Sequence, residues 1–151
     1  MVRNSAWNLP RRHDQKMSPD YATTMPSRTQ PEPAVLDDQA LARLRELDPE
    51  GVNHLLDRVV AAFLKSLDQQ EQVLAAGREA PRDLNGLRHV AHTLKSAAAS
   101  LGATVLSQRC AEIEALARSG REDGLADLIG TVLDDIVAAR RAMQQLVQAS
   151  R

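Results

Sequence analysis

The clearest pattern in the chain is a row of apolar residues, spaced alternately three and four positions apart, between residues 84 and 101. This spacing is typical of an α-helix with one face against a core. The row consists of Leu84, Leu87, Ala91, Leu94, Ala98 and Leu101. His92 lies one residue beyond the row, about 100° around the helix, so its imidazole is predicted to face solvent. Lys95 and Ser96 follow three and four residues later and are predicted to share that exposed face.

Two helices are predicted before this one. Asp37 is a suitable N-cap for a short first helix that buries Leu41, Leu44 and Leu47. Asp48-Pro49 is predicted to end that helix and to open the second, because Pro is tolerated at a first helical position. The second helix is predicted to bury Val52, Leu55, Leu56, Val59, Phe63, Leu67 and Leu74. Ala80-Pro81 then separates it from the helix that carries His92.

Two further helices are predicted after Gly102, which is interpreted as a structural turn residue that ends the His92 helix. The first spans about residues 103–118, buries Leu106, Cys110, Ile113 and Ala117, and ends at Ser119-Gly120. The last spans about 123–148 and buries Leu125, Leu128, Val132, Ile136, Met143 and Leu146. Short connections between long amphipathic helices make neighbours antiparallel. We therefore predict an all-α fold, an antiparallel up-down four-helix bundle with a short leading helix.

The first 34 residues differ from the rest of the chain. They contain five of the seven prolines and show no hydrophobic periodicity, which is typical of disorder. The predicted organisation is a disordered tail over residues 1–34 and a helical bundle over 35–149.

Composition excludes several classes of function. The chain has 151 residues and a formal net charge of −1, so it lacks the positive charge of a general nucleic-acid binder. A single cysteine, Cys110, supports neither a disulfide framework nor a thiolate metal cluster. No apolar run approaches the ~18 residues of a membrane span, and no secretion signal is visible. We expect a cytoplasmic monomer that binds neither nucleic acid nor membrane.

The residues around His92 suit reversible phosphorylation. Neutral imidazole is a good nucleophile because its unperturbed pKa is about 6.5. Lys95, one turn later, is predicted to place its ammonium near phosphoryl oxygens. Small side chains at Ser96 and Ala99 would let a partner approach the ring, and Arg88 and His89 in the preceding turn are further candidate partner contacts.

The segment from Leu36 to about Gln148 resembles a histidine phosphotransfer (HPt) domain of bacterial two-component phosphorelays. The shared motif is a histidine, Leu-Lys two and three residues later, a small residue, and Gly-Ala about ten positions on; here it is His92, Leu94, Lys95, Ser96, Gly102 and Ala103. Two flanking segments also match the family: Leu47-Asp48-Pro49 and the residues from Cys110 to Glu114. The residue after the lysine is often Gly in such domains and is Ser96 here.

The resemblance implies a four-helix bundle that works as a phosphorelay intermediate. Its histidine, here His92, would accept a phosphoryl group from an aspartate of a hybrid sensor kinase's receiver domain and pass it to the receiver domain of a response regulator. It also implies that the chain is not itself an enzyme. Such a domain has no nucleotide site and no cofactor, and Mg²⁺ is expected only in the partner receiver domain.

Three other interpretations remain. A metal site could use His89 and His92 with His54, but neither helical histidine has a carboxylate three or four residues away. The phosphoacceptor helix of a histidine kinase generally has an acidic residue after the histidine and a proline five residues on, where this chain has Thr93 and Ala97. A helical scaffold without phosphate chemistry would not require His92.

Overall fold

The computed structural model describes residues 35–150, so the predicted disordered tail lies outside the described residues. The described region consists of five helices: α1 (Asp38–Glu46), α2 (Leu55–Ala76), α3 (Leu84–Ser100), α4 (Thr104–Arg118) and α5 (Leu125–Ala149). No strand occurs between residues 35 and 150. Helix α3 packs on α2 and α4, and α5 packs on the same two helices. The predicted all-α bundle with a short leading helix is confirmed.

The core is built from one apolar stripe on each long helix. The predicted inward positions of α3 and α4 are all buried except Leu84, which is half-buried at the start of α3. On α2 and α5 most of the stripe is buried, including Leu74 and Leu125 near helix ends, and five of its residues are half-buried: Leu55, Leu56, Val59, Leu128 and Leu146. Each of the four longer helices contributes a fully enclosed side chain to one hydrophobic cluster: Leu67, Leu94, Ile113 and Ile136. This packing holds the backbone of α3 in place and so determines which of its residues face outward.

The connection between α1 and α2 differs from the prediction. Asp48-Pro49 does not open α2, which begins at Leu55. Asp48 nevertheless caps α2 from a distance, because its Oδ2 accepts from the backbone N–H groups of Asn53 and Leu55, each at 3.1 Å. These bonds, above all the one from Leu55, lower the pKa of Asp48.

The same loop explains two wrong burial predictions. Leu47 is 72% exposed and Val52 is 70% exposed, although both were expected in the core. Leu47 follows the last residue of α1, and Val52 lies in the turn that Asp48 organises. Helical spacing therefore does not apply to either residue.

The turn between α3 and α4 joins the bundle to α1. Gly102 has a φ of +80°, a left-handed conformation that favours glycine. Its carbonyl oxygen accepts from the Asp37 N–H at 2.7 Å, and Asp37 is the N-cap of α1. A Cβ at this position would lie 2.8 Å from Asp37 N and 2.9 Å from Asp37 O. Glycine therefore permits both the turn and the close approach of α1.

None of the helices in the described region is sufficiently long and apolar to cross a membrane.

Candidate functional site

His92 lies near the middle of α3 with its side chain directed outward. The side chain is 61% exposed, whereas Ala91 before it and Leu94 two residues later are completely buried. The outward orientation predicted from the apolar row is therefore observed. Because the flanking residues are held in the core, the ring is presented from a fixed backbone.

The buried carboxylate of Glu114 on α4 lies beneath the imidazole. The Glu114 side chain is only 7% exposed, and it accepts three charge-assisted hydrogen bonds. His92 Nδ1 lies 2.9 Å from Oε2. Lys95 Nζ lies 2.6 Å from Oε1, and Arg118 Nη2 lies 3.0 Å from Oε2. Glu114 thus joins side chains of α3 and α4 in one cluster.

The hydrogen bonds to Glu114 determine its charge. The bond from Lys95, and then the bond from His92, lower the pKa of Glu114 below its usual value, even though desolvation acts in the opposite direction. Glu114 is therefore ionised at neutral pH, and an ionised carboxylate only accepts hydrogen bonds. His92 Nδ1 must then carry a proton. In the neutral ring this leaves Nε2 with a free lone pair.

Lys95 is held close to His92 by both its side chain and its backbone. Its side chain is half-buried and donates to Glu114 rather than extending into solvent. Its carbonyl oxygen accepts from Ser107 Oγ at 2.9 Å, which ties α3 to α4 at this level. Helical spacing places Lys95 on the same face as His92, but it does not show which side chain of another helix connects the two.

The other predicted site residues lie where the helical pattern put them. Arg88, His89, Ser96 and Ala99 are all exposed on α3, and Gly102 forms the turn that follows. Helix α3 contains no acidic residue, whereas each of the other four helices contains at least two. The surface around His92 therefore combines basic and small side chains.

Two residues of the cluster, Glu114 and Arg118, are not among the site residues predicted from the sequence. Glu114 was noted only as part of a family resemblance. It lies four residues after Cys110 and three before Ala117, on the buried stripe of α4. A charged residue in such a stripe signals a buried charge that needs a partner, and this signal was present in the sequence.

The His92 side chain is exposed and does not line the groove between α2 and α5. A groove of about 620 Å³ runs between α2 and α5, lined by residues that include Val60, Leu64 and Val147, and no residue of α3 contributes to it. Within residues 35–150, no three His, Cys, Asp or Glu side chains are placed to hold a metal ion. An exposed side chain such as His92 suits approach by a macromolecule better than enclosure of a small molecule.

Comparison with known families identifies the arrangement. The model of the Hpt domain matches residues 58–149, a range that includes His92, Lys95 and Glu114. The chain belongs to the Hpt domain family. It is a histidine phosphotransfer intermediate of the phosphorelay type, as the resemblance implied.

Solved structures of Hpt proteins agree with this assignment. Histidine-containing phosphotransfer protein B (HptB) from Pseudomonas aeruginosa PAO1 shares 31% identity with a TM-score of 0.61, and the match covers 82% of this chain and all of the other. A histidine-containing phosphotransfer protein from maize is 22% identical, with a TM-score of 0.66 and coverage of 89% and 96% of the two chains, and shows the same fold. A comparison with curated proteins found no significant match.

Proposed function

We propose that His92 Nε2 accepts a phosphoryl group from the aspartyl phosphate of a receiver domain and passes it to the aspartate of a second receiver domain. The observation that carries this assignment is the hydrogen bond from His92 Nδ1 to the ionised carboxylate of Glu114. This bond assigns the proton to Nδ1 and the nucleophilic lone pair to Nε2 of an exposed ring.

The transfer step follows from this proton arrangement. The Nε2 lone pair attacks phosphorus, and the Nε2–P bond forms as the bond from phosphorus to the aspartyl oxygen breaks. The aspartate leaves with the electron pair of that bond. Nδ1 keeps its proton, so the ring becomes positively charged, and the carboxylate of Glu114 offsets that charge as a carboxylate does for a catalytic imidazolium. The return transfer reverses these steps.

Lys95 supplies positive charge on the α3 side of the ring. Its ammonium contacts Glu114 before any phosphate arrives, and it carries three donors, so it can contact phosphoryl oxygens without leaving the carboxylate. Phosphoryl transfer depends mainly on positioning the reacting groups and on stabilising the negative charge of the phosphoryl oxygens. Lys95 therefore acts on the phosphoryl group in this scheme, while Glu114 acts on the ring.

The exposed face of α3 forms the docking surface for the receiver domains. Arg88 and His89 lie before His92, and Ser96 and Ala99 lie after it, all exposed on this helix. The small residues permit close approach, and the basic ones complement the acidic phosphorylation pocket of a receiver. The donor is the receiver domain of a hybrid sensor kinase and the acceptor is that of a response regulator. Mg²⁺ belongs to the receiver, and this chain acts as a cytoplasmic monomer with no nucleotide site or cofactor of its own.

The test is transfer of labelled phosphate from a phosphorylated receiver domain to this protein. The wild-type protein is expected to gain acid-labile, alkali-stable label, and His92→Gln is expected to gain none while keeping its helical circular dichroism. His54→Asn is the matched control, because His54 is an exposed histidine at the left-handed N-cap of α2 and has no contact with Glu114 among its hydrogen bonds, and Asn tolerates that conformation. Label on His92→Gln equal to that of His54→Asn would refute the assignment.

A further inference from the structure

Arg118 belongs to the same cluster as the acceptor ring but has no role in the function proposed above. It is the last residue of α4, one turn beyond Glu114, and its side chain is 63% exposed. One guanidinium nitrogen, Nη2, donates to Glu114 Oε2. Among residues 35–150, the Arg118 side chain has no other hydrogen-bond partner. Most of its five N–H donors are therefore available at the surface.

The two cations use different oxygens of Glu114. Lys95 donates to Oε1, whereas Arg118 donates to Oε2, the same oxygen that accepts from His92 Nδ1. Donors that share one acceptor atom lie within two hydrogen-bond lengths of each other, so Arg118 Nη2 is separated from His92 Nδ1 by no more than the 2.9 Å and 3.0 Å bonds combined. Lys95 reaches the site from α3, and Arg118 reaches it from α4.

A purely structural role explains this placement poorly. The Arg118–Glu114 contact is an i,i+4 pair with an exposed arginine, and such pairs contribute little to stability. Glu114 is also already paired with Lys95 and His92, whose hydrogen bonds lower its pKa. An exposed fork of donors beside the acceptor ring has the geometry that arginine uses to bind phosphoryl oxygens.

We propose that Arg118 is a second phosphoryl-binding residue of this site, and that it contacts the oxygens of the transferring group from α4 while Lys95 contacts them from α3. The inference rests on the function proposed above. Attack by Nε2 places a phosphoryl group with two negative charges at the ring, and Arg118 donates hydrogen bonds to it without any change in its own protonation. The covalent step itself is unchanged.

The first experiment measures single-turnover transfer from a labelled receiver domain over a range of receiver concentrations. Arg118→Ala is expected to lower the rate at saturating receiver about tenfold, the typical effect of losing one charge-assisted hydrogen bond. Arg118→Lys is expected to recover part of that rate, because lysine restores the positive charge but not the paired N–H donors of the guanidinium. Arg121→Ala is the matched control, since Arg121 is exposed three residues further on and makes no contact with Glu114. A saturating rate for Arg118→Ala equal to that of Arg121→Ala would overturn the proposal.

A double-mutant cycle separates direct action on the phosphoryl group from action through Glu114. In a Glu114→Ala background the side chain that Arg118 contacts is gone, so a residue that works only by positioning Glu114 should have no further effect. We expect Arg118→Ala to slow transfer by a similar factor in both backgrounds. Loss of the effect in the Glu114→Ala background would reduce Arg118 to a positioning residue and refute direct binding.

Failure of this inference is distinguishable from failure of the proposed function. If the wild-type protein gains no label that depends on His92, the proposed function fails and the inference fails with it. If the wild-type protein is labelled on His92 and the Arg118 variants transfer as fast as Arg121→Ala, only the inference fails. Equal melting temperatures of the Arg118 and Arg121 variants establish that the comparison is between folded proteins.

Discussion

Substitution of Gly102 by alanine tests how the α3–α4 turn holds α1 against the bundle. Gly102 and Gly120 have nearly the same left-handed φ, +80° and +71°. An added Cβ at Gly102 would lie within 3 Å of two backbone atoms of Asp37, whereas one at Gly120 would meet nothing within 4 Å. The pair therefore separates backbone strain, which both variants share, from steric displacement of α1, which only one suffers.

The expected losses follow from these contacts. Alanine in the left-handed region costs about 1–2 kcal/mol at either position. At Gly102 the backbone of Asp37 must also move, which breaks the 2.7 Å hydrogen bond from Asp37 N to Gly102 O at a cost of about 1 kcal/mol. We therefore expect Gly102→Ala to lose about 2–3 kcal/mol of unfolding free energy and Gly120→Ala only about 1–2 kcal/mol.

Urea unfolding followed by circular dichroism measures both values with the wild-type protein as reference. Since the native structures differ only locally, the m-values should agree and the midpoints should differ. Equal losses for the two variants would show that α1 does not press on the turn, and the reasoning from the Asp37 contacts would be wrong.

Two other predictions concern ionisable groups. The pKa of Asp48 is lowered, chiefly by the hydrogen bond from the Leu55 N–H. The stabilising effect of Asp48 is therefore complete above the usual aspartate pKa of about 3.9 and is lost as pH falls through the lowered value. The melting-temperature advantage of the wild type over Asp48→Asn should shrink on acidification, and a constant difference from pH 7 to pH 3 would contradict this. Burial, and to a lesser extent the nearby Asp135 carboxylate, raises the pKa of Cys110 to about 12. A thiol reagent at pH 8 should therefore label Cys110 only at urea concentrations that unfold the protein. Rapid labelling of the native protein would show that the core around Cys110 opens.

Much of the fold could be predicted because its helices are long and strongly amphipathic. The apolar rows of α3 and α4 located the buried residues, and they also placed His92 outside the core. The start of α2 could not be predicted in this way, because the loop before it has no helical spacing. Asp48 caps α2 across seven residues of sequence, and adjacency to Pro49 suggested a local cap instead. Tertiary folding of the loop decided where the helix begins.

The candidate site was predicted only in part, because one half of it comes from another helix. His92 and Lys95 share a face of α3, which helical spacing reveals. The carboxylate that joins them lies 22 residues from His92 along the chain. Helical spacing describes neighbours on one helix and says nothing about the register of α4 against α3. Only the packed structure places Glu114 and Arg118 beside the ring.

The cluster is divided between α3 and α4, so it exists only when these two helices are packed together. A peptide of α3 alone would contain the imidazole and the ammonium but not the carboxylate that assigns the ring proton. Under the proposed function, a molecule in which α4 is unfolded would lack this carboxylate and would accept phosphate poorly. The packing of α3 against α4 therefore couples correct folding of this protein to its reactivity.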